Sequence, residues 1–164
     1  MSTSWRLFFV GYRDYDQPVE KVTGFSGYTT ETDELVTFLG NLRPDGGGDV
    51  PEATKTALNY ALDMNLVDSK TIIILFADAP PHHSTTGGAS RTLEEKHIKT
   101  KDWIQLCQLY AQTGCKFFSI INTAAFMAAS FYMLLSRYTQ GKTLFLSRTD
   151  VKTISKSTIN LFLR

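Results

Sequence analysis

At 164 residues, 43% hydrophobic and 20% charged, the chain is sized for one domain and is too apolar to be disordered. A formal net charge of +1, with no basic run longer than two, excludes recruitment of nucleic acid or an acidic membrane by a global field. Two cysteines, Cys107 and Cys115, are too few for a disulfide framework and read as reduced, mostly buried thiols.

In chain order, "MSTSWRLFFVGYRDY" has one early Arg and lacks a signal-peptide apolar core, so the chain reads as cytoplasmic. Trp5 to Tyr12 is aromatic and apolar and predicts a strand ended by "RDYDQP". Val19 to Phe25 alternates and predicts a half-exposed strand, forming a hairpin with the first. Thr32 to Leu42 places Leu35, Phe38, Leu39 and Leu42 on one helical face. After "RPDGGGD", a helix is expected from about Val50 to Met64. Thr71 to Ala77, "TIIILFA", is a continuous apolar run, the mark of a strand buried on both faces. Residues 92 to 112 read as largely helical, stopped by Gly114. Lys116 to Ile121 predicts a second buried strand, Phe126 to Tyr138 a helix, Thr143 to Leu146 a short strand, and Val151 to Leu163 a last amphipathic helix.

Buried strands alternating with helices imply βα units and a parallel sheet. Ligands bind such sheets beyond the carboxyl ends of the strands, where "RDYDQ", "GGGD", "DAPPHH" and "NTAA" should meet. The stretch from Phe117 to Ser136 carries no charge and has the length of a membrane span. Its polar residues and the break at "NTAA" are equally well explained by a buried strand followed by a buried helix, and no span is expected.

Three acidic constellations could carry chemistry. In "GGGDVPE", Asp49 and Glu52 have capping-box spacing, with Pro51 in the first turn. A well-capped helix is sufficient for these residues. A phosphate loop fits poorly, because a carboxylate at the helix N-terminus would occupy the anion site and no nucleotide-loop motif is present. Asp78 ends a buried strand, and Pro80 and Pro81 stop its continuation. It reads either as a turn former or as an acid projecting into the crevice. Asp49 and Asp78 would together offer the hard oxygen ligands that Mg²⁺ prefers. In "YRDYD", Asp14 and Asp16 read as a solvated turn, or as acids at the same edge. His82, His83 and His97 lack zinc-site spacing, and no nucleophile elbow is present.

"YRDY", then "GGGDVPEATKTALNYAL", then "TIIILFADAPPH" together resemble a von Willebrand factor A-type domain. The resemblance is to the branch with a Gly-Gly-Gly-Asp-x-Pro-Glu signature and an Asp-Ala-Pro-x-His loop, found in domains attached to atypical alpha-kinases. "CKFFSIIN" and "FYMLLSRYTQGKTLFLS" are similar to the family's later strands and helix, so nearly the whole chain is covered. The resemblance implies a Rossmann-like, doubly wound, mostly parallel α/β sheet with an antiparallel edge strand, here one incomplete domain over residues 1 to 164. It also implies a metal-ion-dependent adhesion site, where a divalent cation, usually Mg²⁺, bridges to an acidic group on a protein ligand. Asp49 falls where most members place a metal-site threonine, and Asp78 on the metal-site aspartate. The family's first strand carries Asp-x-Ser-x-Ser, which this chain lacks. The chain begins where the family's second strand begins, so the central first strand is expected to be missing, and weak or no Mg²⁺ binding by this chain alone follows. Its second and fourth strands would then pair directly or accept a strand from another chain, and an exposed edge favours self-association.

The expected function is a non-catalytic protein-interaction module with a degenerate metal site at Asp49 and Asp78, and with Asp14, Glu52 and His82 as further edge residues. The alternative is a regulatory or substrate-recruiting part of a larger atypical alpha-kinase-type protein. A third reading, a metal-dependent hydrolase, needs a general base, and His82 is the only candidate.

Overall fold

The computed structural model describes residues 5–43, 50–82, 101–122 and 129–162. The first strand is shorter than its apolar run: β1 is Val10–Tyr12, and Leu7 joins Thr29 through an isolated bridge. The alternating segment from Val19 divides in two. Val19–Val22 makes one helical turn, α1, and only Thr23–Phe25 is strand β2. Pro18 stands directly before that turn with φ −52°, a value pre-set for helix entry, which hydrophobic alternation does not register. β1 and β2 pair antiparallel with Val10 opposite Phe25, the expected hairpin.

This ribbon has helices on both faces because side chains alternate along a strand. On one face Phe9 meets Phe38 of α2 (Thr32–Asn41), with ring centroids 6.0 Å apart. On the other, Phe25 meets Tyr60 of α3 (Thr54–Asp63) at 6.2 Å. Helix α3 starts later than the expected Val50. Its N-cap is Ala53, without a side-chain cap, so Glu52 closes no capping box. Asp49 lies outside the described residues.

The second sheet is parallel, with strands β3 (Ile72–Ala77), β4 (Lys116–Asn122) and β5 (Thr143–Leu146) in that order. β4 is central and buried from Phe117 through Ile121. β3 is an outer strand, and Ile72 and Phe76 are exposed. The expectation of burial on both faces therefore fails at Ile72 and Phe76, while Ile73, Ile74 and Leu75 between them still feed cores on the two faces.

Alternate residues of this sheet feed two cores. Ile73, Leu75, Phe117 and Ile121 pack with Leu58 of α3, Leu106 and Tyr110 of α4 (Trp103–Thr113), and Tyr132 and Leu135 of α5 (Ala129–Tyr138). Ile74, Phe118, Ile120 and Leu146 pack on the opposite face with Ile154 and Leu161 of α6 (Val151–Phe162). Trp103 donates to the Phe131 carbonyl at 3.0 Å, and Tyr110 to the Leu58 carbonyl at 2.9 Å, so buried polar tips are satisfied. Helix α4 opens with a complete Asp102/Gln105 capping box and ends at Gly114, φ 75°.

The uncharged stretch from Phe117 is divided between β4 and α5, with residues 123–128 outside the described ones. No helix among the described residues is long and apolar enough to cross a membrane. β1 and β3 belong to separate sheets, so the direct pairing held open as one alternative is not formed.

Candidate functional site

Three loops are stitched together at the carboxyl end of β1 and β3. The Ala53 amide donates to the Arg13 carbonyl at 3.3 Å, tying the entry of α3 to the segment after β1. The Glu52 amide donates to the Pro80 carbonyl at 2.9 Å, and the His82 amide to the Glu52 carbonyl at 3.2 Å. These two bonds form a short parallel bridge between Glu52 and Pro81. Pro80 and Pro81 donate nothing to a ladder, so β3 ends, and the Pro80 carbonyl and His82 amide on either side of Pro81 serve Glu52 instead.

Asp14 and His82 lock this junction from within. Asp14 is 4% exposed and His82 1%. His82 Nε2 lies 2.5 Å from Asp14 Oδ1, which also accepts from the Tyr15 amide at 2.7 Å. The Tyr15 ring packs against the imidazole at a 41° tilt with centroids 4.7 Å apart, and its hydroxyl shares a hydrogen with Thr56 Oγ1 at 2.7 Å. Nδ1 of His82 is buried and has no hydrogen-bond partner among the described residues. The two residues expected at the edge are thus turned inward, where they position the loops.

Asp78 behaves differently. It follows the last residue of β3 and is exposed, while Glu52 is half-buried. Around them stand three hydroxyls. Tyr12 donates to the Phe76 carbonyl at 3.3 Å, and Tyr132 to the Ala79 carbonyl at 2.8 Å. Thr54 Oγ1 lies 3.3 Å from the Tyr132 hydroxyl. Burial pushes the Tyr12 phenol up to about 12, with the Glu52 and Asp78 carboxylates adding to the rise against a hydrogen bond from Thr54. Burial likewise raises Tyr132 well above the usual phenol range, with Tyr12, Glu52 and Asp78 contributing. Both phenols stay protonated and serve as donors at neutral pH.

A cation would need several oxygen ligands at once. Among the described residues, no group of three or more His, Cys, Asp or Glu side chains is placed to hold a metal ion. Asp14 is committed to His82, and His82 directs Nε2 at Asp14, leaving it unsuited to zinc or to base catalysis through that nitrogen. His83, His97 and Asp49 lie outside the described residues. The described residues therefore do not by themselves make a cation cage. Sequence reasoning missed Tyr12, Thr54 and Tyr132. Thr54 follows Glu52 by two residues and could have been flagged, whereas Tyr132 arrives from a helix far along the chain.

Burial raises the two thiols, Cys107 to about 11, and neither is disulfide-bonded. They are core residues without a role at this edge.

Comparison with known proteins places the chain beside a family and several relatives. The family described as von Willebrand factor A domain matches residues 9–148. A putative ariadne-like RING finger protein of Acanthamoeba polyphaga mimivirus is 42% identical over 156 residues, which is 93% of this chain and 15% of that protein. The chain thus spans about a seventh of that relative's length. A crystal structure of an uncharacterized membrane-spanning protein from Vibrio fischeri aligns over 97% of this chain and 76% of its own, at 14% identity and a TM-score of 0.37.

Proposed function

This chain belongs to the von Willebrand factor A domain family, and we propose on that footing that it is a non-catalytic protein-interaction module binding its partner at the carboxyl edge. The observation that carries this reading is the division of labour among the acids. Asp14 is withdrawn into a buried lock with His82, while Asp78 stays exposed beside Glu52 and a row of hydroxyl donors. Such an edge offers a partner the exposed Asp78 carboxylate as an acceptor, on a frame held by the internal hydrogen bonds of the Tyr12, Thr54 and Tyr132 hydroxyls. The hydrolase reading loses its base, because His82 is buried against Asp14.

Mg²⁺ plays a minor part in this reading. Asp78, with Asp49, would hold it, and it would bridge the edge to an acidic group of the partner; two protein carboxylates leave most positions to water. The relative named for a RING finger favours a recruiting role inside a longer polypeptide, since the matched region is a small part of that protein. Neither that name nor any geometry favours the kinase-associated alternative.

Affinity capture with the immobilised chain, in Mg²⁺ or in EDTA, tests the proposal. The expected result is a protein retained by the native chain and lost with Asp78→Ala. Retention unchanged by Asp78→Ala, in both buffers, overturns the carboxyl edge as the binding surface.

A further inference from the structure

Where β3, β4 and β5 end side by side, their last residues and the first turn of α6 enclose a groove of about 290 Å³. Ile120 of β4 and Leu146 of β5, both buried, form its floor with Ile154 of α6. Phe76 stands opposite Ile120 in the β3–β4 ladder, so both side chains belong to the α6 face. Phe76 is 46% exposed and Asp78 is exposed beside it, which puts the mouth of the groove at the end of β3. The groove crosses three strands, about 10 Å from β5 to β3, a span suited to a long side chain lying flat.

Its charge is one-sided. Asp78 is the one charged residue in the lining, and it has no ion pair among the described residues. Arg13 commits its guanidinium to the Lys21 and Arg43 carbonyls, at 2.9 and 3.1 Å. Arg148 pairs with Asp150 at 3.7 Å. An anion finds no partner here, because the N-terminus of α6 is already capped by the Asp150 carboxylate, which accepts from the Thr153 amide at 3.0 Å. An apolar groove with one unpaired carboxylate at its mouth selects a group that is apolar along its length and positive at its tip.

We infer that this groove takes one arginine side chain from a partner polypeptide, its methylenes lying over Leu146, Ile154 and Ile120 and its guanidinium held by Asp78 against the Phe76 ring. Arginine fits better than lysine because its planar head pairs with a carboxylate through two N–H groups and stacks on an aromatic face. The inference rests on the reading of this edge as an interaction surface and names what the partner presents there.

The test uses blocked pentapeptides, glycine throughout except for a central arginine, citrulline, lysine or glutamate. Each is titrated into the full chain at low ionic strength and followed by amide chemical shifts. The arginine peptide is expected to move Phe76 to Asp78, Ile120 and Ile154 together and to saturate by about 10 mM. Citrulline, which keeps the shape and loses the charge, and Asp78→Asn each weaken that binding at least about tenfold. Phe76→Ala weakens it about threefold, and the lysine peptide binds less tightly than the arginine peptide. No saturable shift at these residues, or equal binding of citrulline, overturns the inference. If affinity capture depends on Asp78 while the arginine peptide neither binds nor displaces the retained protein, the edge stands as a binding surface and this occupant falls. A glutamate peptide that moves the same residues only in Mg²⁺ also overturns it, giving the groove to an acid bridged by a cation.

Discussion

Asp14 and His82 show how little of a site's logic a single residue reveals in sequence. Each was visible as a polar residue at a strand end, but their pairing joins positions 68 residues apart. No local pattern encodes such a contact. The pairing changes what both residues do: they hold loops together and leave surface chemistry to Asp78. Removing one partner strands the other in a buried site, which costs about 2 kcal/mol or more. Urea unfolding of His82→Ala should show that loss, while Asp78→Ala, at an exposed position, stays within about 0.5 kcal/mol of the native chain. A His82→Ala protein as stable as the native one would contradict the lock. Tyr12 and Cys107 supply a second residue-scale prediction. Both hold their protons to higher pH in the folded state than their ordinary values of 10.0 and 9.0. Their contribution to stability is complete below those ordinary values and is lost as pH rises through about 11 for Cys107 and about 12 for Tyr12. Unfolding midpoints should therefore fall above about pH 9, and Cys107→Ala should flatten the first part of that fall. A profile identical in native and variant chains would contradict the burial assigned to the thiol.

Elements whose signals are local were legible. The buried strand β4, the short β5, the Gly114 stop and the face of α2 all follow from hydrophobic period and caps. Asp102→Ala should cost α4 about 1 kcal/mol, the usual effect of losing an N-cap, read as a lower unfolding midpoint. Elements whose character depends on neighbours were read less well. The run "TIIILFA" looks the same whether or not a strand lies beside it, and only the structure shows that β3 is an outer strand. The α1 turn followed Pro18 and not the alternation of Val19 to Phe25. The late start of α3 reflects Glu52, whose main chain is recruited by Pro80 and His82 and so cannot open a helix. Gly141 marks another contact invisible in sequence. A Cβ there would lie 1.8 Å from the Phe117 carbonyl oxygen, so Gly141→Ala must push the turn away from β4. Its thermal midpoint should drop by several degrees, and an unchanged midpoint would rule out that close approach.

At the scale of the whole molecule, the α/β class and the meeting of the loops after β1 and β3 were legible, while the division into two sheets was not, since the expectation was one sheet whose strands either paired directly or accepted a strand from another chain. The family match spans residues 9–148, and the region similar to this chain is 15% of the mimivirus relative, so a related unit lies inside a far larger polypeptide there. At the carboxyl edge proposed as the interaction surface, the described residues bring no three acidic or histidine side chains together around a cation, and Asp14 is given to His82. Calorimetric titration of Mg²⁺ and Mn²⁺ into the native chain and Asp78→Ala tests this most directly. The prediction is binding in the native chain no tighter than on the order of 1 mM, and none in Asp78→Ala. Tight, stoichiometric binding that survives Asp78→Ala would contradict it, by requiring a complete cation site that does not use the one exposed acid at the end of β3.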